Sequence, residues 1–129
     1  MEPKKVINDY LDLEVWNVAY LCVLEIYRIT NTFPSDERFG LTSQIRRAAY
    51  SIPANISEGN GRQHTKDYIN LLYISKSSLN ELKYFLLLSK ALGYLTEPKF
   101  LELNSMVNRI GRMLMGLIKS LNLSFKDNH

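Results

Sequence analysis

The chain has 129 residues, 46% hydrophobic and 22% charged, with a formal net charge of +3. A chain of that length buries a sizeable core without staples, and ordinary globular composition excludes wholesale disorder. Cys22 is its one cysteine, which excludes an internal disulfide and any cysteine-based metal framework.

No apolar run approaches membrane-spanning length, and residues 1–12 have the makeup of neither a signal nor a transit peptide. The cytoplasm is therefore the expected compartment. Four segments repeat apolar residues at helical spacing, and none alternates in the manner of a strand. The first helix is predicted over about 13–32, with the Asp12 carboxylate as N-cap. Val15, Ala19, Cys22, Ile26 and Ile29 form its inward stripe, where Cys22 is a small buried hydrophobe and not a reactive thiol. A second stripe, Trp16, Tyr20, Val23 and Tyr27, widens the apolar face beyond the needs of one bundle core. Phe33-Pro34 ends the helix, since the proline ring disfavours α geometry at Phe33.

The second helix is predicted over about 40–58, with Leu41, Ile45, Ala48, Ile52 and Ile56 inward. Pro53 lies inside it, removes one backbone hydrogen bond and crowds the Ala49 carbonyl, so a kink or an early end is expected there. Gly59-Asn60-Gly61 reads as a flexible stop. The third helix, about 65–92, has Thr65 as its expected N-cap and Gly93 suited to a left-handed C′ position. Its seam is Tyr68, Leu72, Ser75, Leu79, Leu82, Leu86 and Ser89, and the small Ser75 and Ser78 allow a close neighbour. The fourth helix, about 97–121, is capped by Thr96 and carries Phe100, Leu103, Val107, Ile110, Leu114, Leu117 and Leu121 in alternating three- and four-residue steps. Residues 122–129 are expected to fray. Short linkers make sequence neighbours antiparallel space neighbours. The predicted fold is all-α: one antiparallel up-down-up-down four-helix bundle over 1–129, with the second helix kinked near Pro53.

Chemistry is sparse. His64 and His129 are the only histidines, and each reads as a solvated surface group. The chain has no HExxH, no ExxH pair, no P-loop and no GxGxxG, so no catalytic residue, metal ligand or cofactor site is predicted. Charge is the more informative signal. Residues 38–90 hold eight basic residues against Glu58, Asp67 and Glu81, while the rest of the chain is slightly acidic. Arg38, Arg46, Arg47, Arg62 and Lys66 are candidate phosphate contacts if the fold gathers them, with Tyr50 and Tyr68 as stacking faces for single-stranded nucleic acid. Ordinary surface charge, paired in part with Glu58 and Asp67, is the competing account. The surplus apolar stripe on the first helix, with Tyr73, Tyr84 and Phe85 on the third, predicts a homo-oligomer.

The sequence also resembles a known family. Glu14-Val15-Trp16, Tyr27-Arg28 and Phe33-Pro34 carry part of the likeness. Its centre is Glu37-Arg38-Phe39-Gly40-Leu41-Thr42-Ser43-Gln44-Ile45-Arg46-Arg47-Ala48-Ala49, then Ser51-Ile52-Pro53-Ala54-Asn55-Ile56-Ser57-Glu58-Gly59 and Gly61-Arg62. Ser77-Ser78-Leu79-Asn80-Glu81-Leu82 extends it. Over about 13–121 the chain resembles the bacterial four-helix-bundle family of proteins encoded in 23S rRNA intervening sequences, also called the S23 ribosomal protein family. Ser57 stands where the family pattern has alanine. The resemblance implies a bundle that assembles into a ring, with a pentamer favoured. It also implies kinship with the accessory protein of diversity-generating retroelements, a ring that binds a reverse transcriptase and nucleic acid. Asn55 and Glu58 in the central motif are expected to satisfy backbone groups loosened by Pro53, or to pair with Arg46, Arg47 or Arg62.

The function expected is non-enzymatic: an oligomer binding RNA or DNA backbone through a basic surface, without cofactor or membrane. The alternative is a protein-interaction ring, for example an accessory subunit for a reverse transcriptase, with no direct nucleic-acid role. A third reading, a small enzyme, requires Glu58, Arg62 and His64 to converge in a pocket.

Overall fold

The computed structural model describes residues 9–128. The expectations for His129 and for most of residues 1–12 lie outside that range. Four helices make up the fold: α1 (Glu14–Thr30), α2 (Leu41–Asn60), α3 (Thr65–Ala91) and α4 (Glu97–Asn128), with short 3-10 turns at Tyr10–Asp12 and Ser35–Glu37. No strand occurs among the described residues. Each helix packs on two others, α1 on α2 and α4, and α3 on α2 and α4, around one shared core. The result is an all-α four-helix bundle. Contacts climb one helix as they descend its neighbour: Arg47 meets Glu81 and Asn60 meets Tyr68, while Glu14 meets Arg109 and Glu25 meets Lys99. No helix among the described residues is long and apolar enough to cross a membrane.

The apolar periodicity translates directly into burial. The first stripe of α1, the inward set of α2 and the α3 seam from Leu72 to Ser89 are all buried, with Tyr68 half-buried at the start of the seam. On α4, Leu103, Val107, Ile110 and Leu114 are sealed from solvent, but the next sealed position is Ile118 and not the expected Leu117. An α-helix drifts by about 20° per heptad against a strict 3.5-residue repeat, and after three turns that drift exchanges one position for the next. The second α1 stripe stays partly outside: Tyr20 and Tyr27 are exposed, and Trp16 and Val23 are half-buried.

Several local expectations change. Asp12 lies in the 3-10 turn and does not cap α1; Leu13 holds the N-cap position, and the Asn17 carboxamide donates to the Leu13 carbonyl at 2.9 Å. Thr65 is the first residue of α3, after His64, whose side chain makes no capping bond. The flexible stop at Gly59-Asn60-Gly61 is helix as far as Asn60, and Gly59 is buried because the Tyr68 ring lies against it. Residues 122–128 do not fray but extend α4 to Asn128. Other signals hold. Gly93 takes φ +82° and closes α3, with Gly93 N–H donating to Lys90 O and Tyr94 N–H to Ser89 O, the paired bonds of a Schellman motif. The Lys99 amide donates to Thr96 Oγ1 at 3.3 Å, so Thr96 caps α4.

Helix α2 runs through the buried Pro53 without ending. Around the proline, two side-chain hydrogen bonds cross the α2–α3 seam: Ser75 Oγ donates to Ile52 O at 2.8 Å, and the Ser51 and Ser78 hydroxyls meet at 2.8 Å. Within α2, Asn55 Nδ2 donates to Ser51 O at 2.8 Å. Small residues on both helices bring the backbones close enough for the two bonds across the seam to form.

Candidate nucleic-acid interface

The five cations singled out from the sequence do not form one patch. Arg46 and Arg62 are sixteen residues apart on and just beyond α2, roughly 24 Å at helical rise. Arg38 and Arg46 line a small cleft with Thr30, Asn31 and Pro34 at the end of α1. Arg62 and Lys66 lie toward the opposite end of α2.

Most of the five are also engaged. Arg46 Nε donates to Thr30 Oγ1 at 2.8 Å, Nη2 to Asn31 Oδ1 at 3.1 Å, and the guanidinium lies 4.6 Å from the centre of the Tyr27 ring. It thereby sits on the last turn of α1, where unpaired carbonyls and the helix dipole favour a cation. Arg47 pairs with Glu81 at 2.7 Å, and Arg62 with Glu58 at 2.7 Å, one turn apart. Arg38 is exposed and stands 5.5 Å from the Phe39 ring. Lys66 is exposed beside Ile69, Asn70 and Phe125. The motif polar residues serve the backbone and this pairing: Asn55 bonds Ser51, and Glu58 bonds Arg62.

Of the two tyrosines proposed for stacking, Tyr50 is exposed. Tyr68 is instead packed against Gly59 and accepts from Asn60 at 3.3 Å, and burial pushes its phenol up. His64 lines a cleft with Gln63, Thr65, Lys66, Asp67 and Phe125, to which Glu58 and Arg62 do not contribute. No cluster of three or more His, Cys, Asp or Glu fit to hold a metal occurs among the described residues.

A different cationic surface emerges where α3 packs on α4. One cleft of about 520 Å³ is lined by Lys76, Asn80 and Lys83 from α3 and by Asn108, Arg112 and Met115 from α4, over a floor of Leu79, Val107 and Gly111. A second, of about 460 Å³, shares Met115 and continues with Tyr73, Gly116, Lys119, Asn122, Leu123 and Lys126. Among the described residues, no carboxylate lines either cleft. Lys76, Lys83, Arg112, Lys119 and Lys126 have no ion pair among the described residues. Contacts of Leu79 with Gly111 and Lys90 with Glu97 set the register, so the cations span roughly 30 Å of the helix pair.

The signal for this surface is present in the sequence as spacing. Lys76 and Lys83 are seven residues apart, as are Arg112, Lys119 and Lys126, and residues 103–126 contain no acidic residue. A seven-residue step returns to nearly the same helix face. A charge balance over 38–90 misses this pattern, because three of its five cations lie on α4.

Residues 11–116 match the 23S rRNA-intervening sequence protein family. No curated protein sequence matches the chain significantly. Among solved structures, a protein of unknown function from the S23 ribosomal protein family of Bacteroides thetaiotaomicron superposes with a TM-score of 0.76 at 28% sequence identity. The likeness covers 81% of this chain and 95% of that one. The chain belongs to the 23S rRNA-intervening sequence protein family.

Proposed function

We propose that this chain is a cytoplasmic, non-enzymatic homo-oligomer that binds nucleic acid through its sugar–phosphate backbone. The observation that carries the reading is the α3–α4 surface, where five cations stand without a carboxylate partner among the described residues. Unpaired lysines and arginines on one face repel one another, and polyanion binding relieves that repulsion while releasing counterions. The test is a titration of the full chain with RNA and with DNA across a salt series. Log affinity falls linearly with log salt, and charge reversal by Lys76→Glu with Arg112→Glu weakens binding to all sequences and flattens the slope. Binding absent at low salt, or indifferent to salt, overturns the proposal. Arg46 is not the residue for this test, because it fastens α1 to α2.

Self-association rests on a separate observation. Tyr20, Leu21 and Leu24 on α1, and Tyr84 and Leu87 on α3, are large apolar side chains left exposed by the bundle. Such surface supports an oligomer, and the family resemblance favours a pentameric ring. A monomer at micromolar concentration in light scattering overturns this part. The same exposed residues also support a second reading, a ring that docks a protein such as a reverse transcriptase and leaves nucleic acid to its partner. Complex formation that survives both loss of nucleic acid and charge reversal of the α3–α4 face favours that reading.

A further inference from the structure

The α3–α4 surface is more than a row of charges. Its rims are cationic and its floor is not. Along the same clefts Tyr73, Met115 and Leu123 are 45%, 38% and 56% exposed. Gly116 lies among them with nothing within 4 Å of where a Cβ would stand, leaving an open apolar shelf. Asn80, Asn108 and Asn122 line the same clefts. Their carboxamides make no hydrogen bond with another described residue and offer both donors and acceptors.

We propose that this groove takes a single strand of nucleic acid laid along the α3–α4 pair, in preference to a duplex. The inference rests on the nucleic-acid reading above and specifies the form of its ligand. A duplex presents charged backbone outward and keeps its base faces stacked inside, so it engages the cations and leaves the exposed apolar side chains wet. An unpaired strand presents both chemistries at once. Its phosphates meet Lys76, Lys83, Arg112 and Lys119 on the rims, and its base faces cover Tyr73 and Met115. Base–aromatic stacking tolerates any sequence because every base has a π-face. The asparagines add hydrogen bonds to base edges that only an unpaired strand exposes fully. Charge decides against the other natural occupant of an interhelical groove, an amphipathic peptide: five cations without a counter-charge among the described residues call for a polyanion.

The experiment is fluorescence anisotropy on the full chain with a labelled strand of about ten nucleotides, long enough to span the groove. The same strand annealed to its complement and a polyglutamate peptide of equal charge are the comparisons. The single strand is expected to bind at least about tenfold more tightly than either. Tyr73→Ala lowers its affinity about tenfold with the salt slope unchanged, since stacking releases no counterions, and Tyr73→Phe restores it. Lys76→Gln with Arg112→Gln lowers affinity and reduces the slope by about 1.4. Equal or tighter binding of the duplex, with the charge variants still weakening it, overturns the single-strand inference and leaves the nucleic-acid reading standing. Tyr73→Ala without effect also overturns the inference alone. Failure of every nucleic acid to bind, or polyglutamate binding as tightly as the strand, overturns both.

Discussion

The Ser75 hydroxyl, sealed from solvent, donates at 2.8 Å to the carbonyl of Ile52, the residue immediately before Pro53. Polarity and small size both matter at this position. The hydroxyl satisfies itself on a carbonyl of the neighbouring helix, and the short side chain lets that helix approach. Ser75→Ala keeps the approach and loses the bond, for an expected cost of about 0.5–1.5 kcal/mol. Ser75→Leu keeps neither and overfills the seam, for an expected cost of about 1–3 kcal/mol. Urea unfolding of the two variants checks the order, which reverses if apolar volume rather than the bond is what the seam lacks.

Gly59 and Gly116 are both helical glycines, and they are expected to respond to alanine with opposite signs. A Cβ on Gly59 would stand 2.7 Å from Tyr68 Cδ1 and 3.2 Å from Leu71 Cβ, so the tyrosine ring must move and its bond from Asn60 with it. A Cβ on Gly116 meets nothing within 4 Å. Alanine is favoured over glycine in a helix by about 1 kcal/mol, which Gly116→Ala gains in full. At Gly59 the overpacking cost of about 1–3 kcal/mol outweighs that gain. Thermal melts of the two variants on either side of the parent establish the contrast.

Arg46 is expected to act as a clip between helices. Its guanidinium bonds Thr30 and Asn31 and lies over the Tyr27 ring, three contacts near the C-terminus of α1. Arg46→Ala is expected to cost about 1–2 kcal/mol, discounted for partial exposure. Arg46→Lys keeps the charge near the helix terminus but loses the planar fork, so it restores only part of that stability. Denaturant midpoints for the three proteins provide the measurement.

The periodic part of this fold was legible in the sequence. Burial of the α1 stripe and the α3 seam follows from apolar residues at three- and four-residue steps, and Gly93 follows from its freedom at positive φ. Features set by distant partners were not. Gly59 reads locally as a breaker, yet it lies within α2, and the space its missing side chain leaves is taken by Tyr68, nine residues on. Arg47 reads as a phosphate contact or a partner of Glu58, yet Glu81 reaches it from another helix, 34 positions away. The α3–α4 cations lie between these cases. Their seven-residue spacing is in the sequence, but that the two stripes flank one groove depends on how α3 and α4 pair. Two of the three expected N-caps miss for a related reason: Asp12 and Thr65 have the right chemistry, but the chain enters each helix one residue away from where a capping side chain would serve.

Cys22 supplies a prediction with a definite sign. Its side chain lies in the α1 core stripe at 1% exposure, and burial pushes the thiol up to about 12 from the ordinary 9.0, with the Glu25 carboxylate adding a smaller push. Below pH 9 the thiol is protonated in both folded and unfolded chains, and its contribution to stability is complete. As pH rises through the window from about 9 to about 12, the unfolded chain gives up the proton first and the folded state loses ground. The slope from this one group approaches about 1.4 kcal/mol per pH unit. Tyr68 and Tyr94 have raised phenols and pull in the same direction, so total alkaline loss does not isolate the cysteine. Comparison with Cys22→Ala does. The alanine variant starts less stable near neutrality because it leaves a small cavity, and its deficit narrows steadily between about pH 9 and pH 11. Urea titrations at intervals across that range measure the deficit; a gap that stays constant means that the thiol ionises alike in both states.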